Sequence, residues 1–411
     1  MENRKVLIVS SHLNYRTGLN THMRQMYDFL LHIDFDPVYC AVSGGQTVVS
    51  HIMKDYMFHD LAGKADQFIR VVASERPAIV ITFDDLWKIV GVHAARRIYP
   101  FFWIHHFLPE EDNLGADMVK LDNRGTYTIS LKRELLGCDL IVPATEMGLS
   151  VLVDWDLKHH TRHILPFVDT NRIKYSKKAG LTFRDDKGIK PNDFLFTVVA
   201  RNFARKNLPV VFEAFKLFAD DIELDRNIKP KLYVHTVPRS PLGWDIDYLT
   251  KKYKSKKWPD AVQVRKMTNY NQEEPDSIMN ALYSATDCLI SVAYAEGLGY
   301  PVIESMLAER SVIYGKGGYP KYFADTKHNY AVKSAGEFIP YGSGFSQTWH
   351  YYKPHHLANL MRKAFDRGQI RSSLNRKRII RRFNRKYLET LWEPVLRSVV
   401  QSYNTIGVLA L

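Results

Sequence analysis

Between Asp287 and Tyr314 the chain spells out strand, turn, helix and strand in immediate succession. Asp287-Cys288-Leu289-Ile290-Ser291-Val292 is short, apolar and β-prone, so it reads as a buried strand. Val302 to Glu309 has helical spacing, and Ser311-Val312-Ile313-Tyr314 reads as a second strand. A strand, a crossover helix and a strand commit the region to a parallel α/β sheet. The turn, Ala295-Glu296-Gly297-Leu298-Gly299-Tyr300, carries two glycines, and Pro301 suits the start of a helix, where a missing N–H costs nothing. Backbone N–H groups at such a turn face outward beyond the strand's carboxyl end, where α/β sheets bind ligands and helix N-termini favour anions. Glu296 lies in the turn, and Glu304 follows about one helical turn into the helix, with seven residues between them. A glycine turn by itself serves equally well to tighten a bend, so the rest of the chain has to decide.

The N-terminal half repeats the same grammar. Lys5 to Ser10 is a buried-strand pattern, a loop runs from Ser11 to Asn20, and Thr21 to Leu31 has helical periodicity. Gly18 in that loop fits either a plain turn before a capping Thr21 or close approach of the backbone to a ligand. Further strands are expected at Pro37 to Val42, Ala78 to Phe83 and Phe101 to Ile104. The last of these ends at His105-His106, which would then project from the sheet's carboxyl edge. Asp84-Asp85 also follows a strand; with no third ligand in evidence, a solvated turn is favoured over a metal site. Arg133 to Cys138, the strand Leu140 to Pro143 and the stretch Ile164 to Asp169 complete this half. Lys174 to Lys190, polar and lysine-rich, reads as a linker.

Phe194 to Ala200 restarts the pattern, followed by the basic loop Arg201-Asn202-Phe203-Ala204-Arg205-Lys206 and an amphipathic helix from Leu208 to Ala219. Arg201 and Lys206 leave the carboxyl end of a central strand, where an arginine can grip phosphate bidentately and a lysine adds a point charge. Strands at Lys231 to Thr236 and Ala261 to Arg265, and a helix from Ile278 to Ala285, lead into the opening unit. Helices from Pro354 to Arg367 and from about Ser372 to Tyr403 close the chain. Eleven Lys/Arg against one acidic residue, Asp366, lie between Arg362 and Lys386, which suits a solvated helix face or contact with phospholipid headgroups.

At 411 residues two domains are expected. The net charge of +13 points to an anionic partner such as a nucleotide, a membrane surface or nucleic acid. Three cysteines in apolar settings, Cys40, Cys138 and Cys288, argue against disulfides and a cysteine-built zinc site. No apolar run approaches the roughly 20 residues of a membrane span. Met1 to Lys5 leads straight into a strand rather than a signal sequence, so a cytoplasmic enzyme is expected, with peripheral membrane contact left open.

Taken together, these residues resemble the retaining nucleotide-sugar glycosyltransferases of glycosyltransferase family 4. The resemblance rests on Arg201 with Lys206 and on Glu296 with Glu304 in a glutamate-x7-glutamate spacing. It is supported by the Gly18 loop, Cys138 to Pro143, Leu165 to Asp169 and Gly317-Gly318-Tyr319. It covers almost the whole chain and departs from the family pattern at Thr17-Gly18 and at Asn202-Phe203.

The resemblance implies a GT-B fold, an α/β architecture of two Rossmann-like domains facing a central cleft, with the C-terminal helices returning to the N-terminal domain. The expected boundaries are 1–173, a linker at 174–190, 191–378 and crossover helices at 379–411. It implies that Gly18, Arg201, Lys206, Leu298, Gly299 and Tyr300 hold the donor diphosphate, and that His105, Glu296, Gly297, Leu298 and Gly299 hold the donor sugar. Met267 and Glu304 would hold the nucleoside, with His105 and Glu296 as the catalytic pair; whether His105 or His106 matches the family's histidine is open. No cofactor or metal is implied, because positive side chains and N–H groups suffice to neutralise a departing diphosphate. The implied partners are a nucleotide sugar, with GDP-mannose ahead of UDP-glucose, and a glycan, glycoprotein or lipid-linked acceptor. A sugar-nucleotide epimerase or phosphorylase shares the fold. A nucleic-acid-binding protein would explain the charge, but the basic residues lack an interleaved aromatic platform.

Overall fold

The computed structural model describes residues 3–11, 18–43, 58–60, 65–85, 91–110, 114–122, 125–157, 161–223, 228–266, 274–340 and 345–407. In chain order the elements begin with β1 Lys5–Ser11, α1 Gly18–His32, β2 Asp36–Ser43, β3 Phe58–Asp60, α2 Ala65–Glu75, β4 Ile79–Thr82, α3 Gly91–Ile98 and β5 Phe102–Phe107. Then come β6 Leu114–Asp122, β7 Gly125–Ser130, α4 Leu131–Leu136, β8 Leu140–Pro143, α5 Glu146–Asp154, α6 Lys177–Asp186 and β9 Phe194–Val199. They continue with α7 Leu208–Asp221, β10 Pro230–Thr236, α8 Ile246–Lys252, β11 Val262–Lys266, α9 Asp276–Ala285, β12 Cys288–Ser291 and α10 Tyr300–Leu307. The last are β13 Ser311–Gly315, β14 Tyr330–Val332, β15 Gly336–Phe338, β16 Phe345–Gln347, β17 Trp349–Tyr351, α11 Pro354–Arg367, α12 Ser373–Arg382 and α13 Arg385–Gly407.

The chain forms two compact units, one of residues 1–169, 341–347 and 383–411, the other of 170–340 and 348–382. The first contains a six-stranded sheet of order β3-β2-β1-β4-β5-β8, the second one of order β11-β10-β9-β12-β13-β14. Adjacent strands within each sheet are parallel. Numbered within its own unit, each sheet runs 3-2-1-4-5-6, the doubly wound order, and reverses direction between its first and fourth strands. Ligand crevices of such sheets lie at that reversal. In the second unit the reversal separates β9 from β12, which places the basic loop after β9 beside the glycine turn after β12.

Alternation along the strands directs side chains into layers on either face. Phe194 and Phe196 of β9 pack with Phe215 and Phe218 of α7 and with Phe365 of α11. Fully burying one such ring is worth about 1.5–3 kcal/mol. In the first unit Val6, Ile8, Ile81 and Ile104 face a cluster closed by Trp392, Leu396 and Val400 of α13, while Leu7, Val9, Val80 and Trp103 face the opposite layer.

Several expectations need correction. Residues 174–190 are not a linker: Ser176 caps α6 through its hydroxyl, and the helix belongs to the second unit. Its anchor is a buried arginine rather than an apolar stripe, so hydrophobic periodicity is blind to it. The Arg184 guanidinium donates to the carbonyls of Ala285 and Asp193 and to the carboxylate of Asp287, at 2.6–2.9 Å. The first unit's main segment ends at Asp169 rather than 173, and the chain rejoins it at Phe383 rather than 379. The final helix is broken at residues 383–384, where the Asn384 side chain accepts from the Tyr387 N–H and starts α13. The small antiparallel sheets β16-β6-β7 and β15-β17 go beyond the parallel pattern that the sequence announces.

The basic stretch from Arg362 to Lys386 is largely committed within the fold. Arg362 pairs with Asp221 and Asp366, Arg371 with Glu309, Arg378 with Asp325 and Arg385 with Glu389. Arg376 donates to the carbonyls of Ile173, Leu307 and Thr170, and Arg382 to the Tyr319 hydroxyl. The searched helices of the described residues include none long and apolar enough to cross a membrane.

Candidate active site

In the second unit the loop after β9 folds into a short 3-10 turn, Ala204–Lys206, closed by Asn207 in the left-handed conformation (φ 52°). Asn202 latches this loop down. Its amide donates to the carbonyls of Val237 (3.0 Å) and Trp244 (2.7 Å) and accepts from the Trp244 N–H (2.8 Å). On the other side the Tyr294 N–H donates to the Arg205 carbonyl (2.7 Å), and the Arg205 guanidinium donates to the Ala295 carbonyl (3.1 Å). The basic loop and the glycine turn are thereby stitched together across the reversal of the sheet.

Their side chains meet at Glu296. Lys206 Nζ lies 2.5 Å from Oε2, and Arg205 lies 4.0 Å from Oε1. Burial alone would raise the Glu296 pKa. Lys206, Arg205 and the Gly299 N–H outweigh it and hold the carboxyl below the ordinary value, so it is ionised at neutral pH. Gly299 has φ +77°, and a Cβ there would stand 2.9 Å from the Pro320 ring, so the turn requires glycine on two counts. The Gly299 amide, expected to face a diphosphate, is already engaged by Glu296. Leu298 is buried and Tyr300 opens α10. Gly318 packs against the same glutamate: a Cβ added to it would stand 3.0 Å from Glu296 Cβ, and the neighbouring Tyr319 N–H donates to the Glu296 carbonyl (3.1 Å). Arg201 sits exposed at the head of the basic loop.

Glu304, on the inner face of α10, is clamped by residues that sequence reading does not single out. Arg172 donates to Oε1 (2.7 Å) and the Tyr283 hydroxyl to Oε2 (2.7 Å), while Arg172 also pairs with Asp276 (2.8 Å). Met267 lies outside the described residues, and Gly18 is the first residue of α1, so Thr21 lies inside the helix rather than capping it.

In the first unit the two histidines have different surroundings. Both lie within β5, which runs on to Phe107, and neither projects from an edge: pairing with β8 continues past them. His106 Nε2 faces the Ile164 carbonyl (2.9 Å) and must donate, so its Nδ1 accepts from His22 Nε2 (2.8 Å). His22 Nδ1 in turn accepts from the Phe167 N–H (2.8 Å). All four ring nitrogens are satisfied with both rings neutral, and burial, the main cause, pushes the His106 pKa down to about 3. Both ring nitrogens of His106 are thus committed within the first unit. His105 faces the opposite side of the sheet. Its Nδ1 meets the Thr82 hydroxyl (2.8 Å), Nε2 makes no hydrogen bond among the described residues, and burial, with His106 next, lowers its pKa to about 3. The Thr82 hydroxyl also accepts from Trp103 Nε1 (2.9 Å) and faces the Ile104 carbonyl (3.4 Å). Asp84 is not in a solvated turn: it is buried and accepts from the Ser11 hydroxyl.

A model of the family described as Glycosyl transferases group 1 matches residues 181–337, the stretch that carries Lys206, Glu296 and Glu304. Solved structures align over nearly the whole chain. HepE of Anabaena, crystallised with UDP and glucose, shares 12% identity over 96% of this chain and 100% of its own, with a TM-score of 0.67. Sucrose-phosphate synthase of Thermosynechococcus elongatus shares 14% over 97% and 100%, at 0.71. A glycosyltransferase of Rickettsia africae shares 13% over 97% and 99%, at 0.68. The fold is GT-B. A search of curated protein sequences finds no match. The family model and the shared fold together support a glycosyltransferase.

Proposed function

We propose that the protein is a retaining glycosyltransferase that moves a hexose from a nucleoside-diphosphate sugar to a hydroxyl of a glycan, glycoprotein or lipid-linked acceptor. The observation that carries this reading is the Lys206–Glu296 pair at the sheet reversal of the second unit, within the stretch matching group 1 glycosyl transferases. A sugar nucleotide already carries its leaving group, so the protein has to stabilise a departing diphosphate and an electron-poor anomeric carbon. Lys206 and Arg201 supply positive charge for the diphosphate. Glu296, held ionised, accepts from the sugar hydroxyls and sets negative charge near the developing cation. Glu304 accepts from the ribose hydroxyls, and His105 holds the sugar.

The bond from the anomeric carbon to phosphate oxygen breaks with its electron pair going to the phosphate. The acceptor oxygen bonds to the same face, and its proton passes to the leaving phosphate oxygen. No divalent metal is needed for this step, since lysine and arginine provide the countercharge. GDP-mannose and UDP-glucose are the donors to try first; the second is favoured by HepE, which was also crystallised with UDP-glucose. The test is nucleoside-diphosphate release from a panel of sugar nucleotides in excess chelator. Turnover of a hexose donor with retained anomeric configuration is expected. Manganese-dependent turnover would contradict the metal-free step, and inertness towards every donor would contradict the function.

A further inference from the structure

We propose that Arg172 is a positioning residue for nucleoside binding: it fixes the Glu304 carboxylate so that it accepts from the ribose diol. The inference rests on the reading of Glu304 as the ribose-binding residue. Glu304 lies on α10 with 12% of its side chain exposed, so its carboxylate is oriented by the groups that meet it. Two donors approach it from different elements. Arg172 reaches Oε1 from the first residues of the second unit, and Tyr283 reaches Oε2 from α9, each at 2.7 Å. Arg172 is itself braced by Asp276, which lies on the same face of α9 as Tyr283 about two turns earlier, at 2.8 Å. Asp276, Arg172, Glu304 and Tyr283 thus form a chain in which α9 holds both ends.

The chemistry of the clamp suits a diol. A carboxylate only accepts, and each of its oxygens accepts two hydrogen bonds, so a donor on each oxygen does not close the group to a ligand. A ribose presents two adjacent hydroxyls, both donors. An oriented carboxylate meets both, whereas a mobile one has to be ordered at the moment of binding. A lysine at 172 would reach one partner as a point charge but would not bridge Asp276 and Glu304 with a planar fork.

The test is calorimetric titration of UDP and GDP and of their 2′,3′-dideoxy counterparts into the full-length protein and its Arg172→Met and Asp276→Asn variants. The wild type should prefer the better-bound ribonucleotide over its dideoxy form by about tenfold to a hundredfold, the worth of hydrogen bonds to a charged group. Arg172→Met should lose most of that preference while its affinity for the dideoxy form stays at the wild-type value, which a merely unfolded or loosened variant could not show. Asp276→Asn, a change at the solvent side, should lose a smaller part. A wild type that binds both forms equally, or neither, would overturn the ribose role of Glu304 itself. A wild type that discriminates, with both variants discriminating as well, would overturn the role of Arg172 and leave that of Glu304 standing. Should Arg172→Met fail to fold, Asp276→Asn decides by the same ratio.

Discussion

The ammonium of Lys206 lies 2.5 Å from Oε2 of Glu296, ninety positions further along the chain, and the pair is largely enclosed. Neither group would be stable there alone: removing one partner of a buried ion pair leaves an uncompensated charge and costs about 3–5 kcal/mol. The pair ties the loop after β9 to the turn after β12, so site geometry and local stability depend on the same contact.

Gly299→Ala places a Cβ against Pro320 on a backbone at φ +77°. Strain of this kind costs about 1–3 kcal/mol. The expected outcome is a lower denaturation midpoint together with a loss of donor turnover, because the added methyl also meets Glu296 Cγ, at 3.6 Å. Denaturant titration and a turnover assay on one preparation check it; unchanged values for both would show that the turn accommodates a side chain.

The buried histidines set an acid limit. His105, His106 and His22 all have native pKa values below the ordinary 6.5, with the first two near 3. Between about pH 6.5 and 3 the unfolded chain binds protons that the native rings refuse. Their stabilising contribution is thus full above pH 6.5 and is lost as pH falls, by up to about 1.4 kcal/mol per pH unit for each ring. Urea midpoints at pH 7.5, 6.0 and 5.0 should fall steadily, and a His22→Gln variant should show a shallower fall. Equal slopes would mean that the rings titrate normally.

Asn202→Ala removes three hydrogen bonds that pin the basic loop to the segment after β10. The expected cost is about 1–3 kcal/mol for each buried group left unsatisfied. Amide hydrogen exchange should rise in residues 201–207 before it rises in β9, which carries the loop. Uniform exchange across both would assign Asn202 to the core rather than to the loop.

Much of the fold is legible because parallel strands buried on both faces write continuous apolar runs, as in Phe194–Val199 and Cys288–Ser291, and because glycine and proline punctuate the turn at Gly299 and Pro301. Glu296 and Lys206 are legible for a related reason, since they lie in loops that follow strands, and Glu304 is legible from its spacing to Glu296. What stays hidden rests on single polar residues with distant partners. Arg184 anchors α6 without an apolar stripe, Arg172 reaches Glu304 across 132 positions, and His22 reaches His106 across 84. Nothing local distinguishes such residues from solvated ones, and an apolar run ending in His105-His106 looks the same whether the strand stops there or continues. Only the register with β8 decides it.

The central claim is that Lys206 and Glu296 serve different parts of one donor. Calorimetric titration of Lys206→Ala and Glu296→Gln with the intact sugar nucleotide and with its free nucleoside diphosphate, beside turnover, separates them. Lys206→Ala should weaken binding of both ligands by about tenfold to a hundredfold, as expected for a charge-assisted contact. Glu296→Gln keeps its shape, so affinity for the free diphosphate should stay near wild type while transfer falls steeply. Full transfer by Glu296→Gln, or wild-type diphosphate affinity in Lys206→Ala, would contradict the placement of the site.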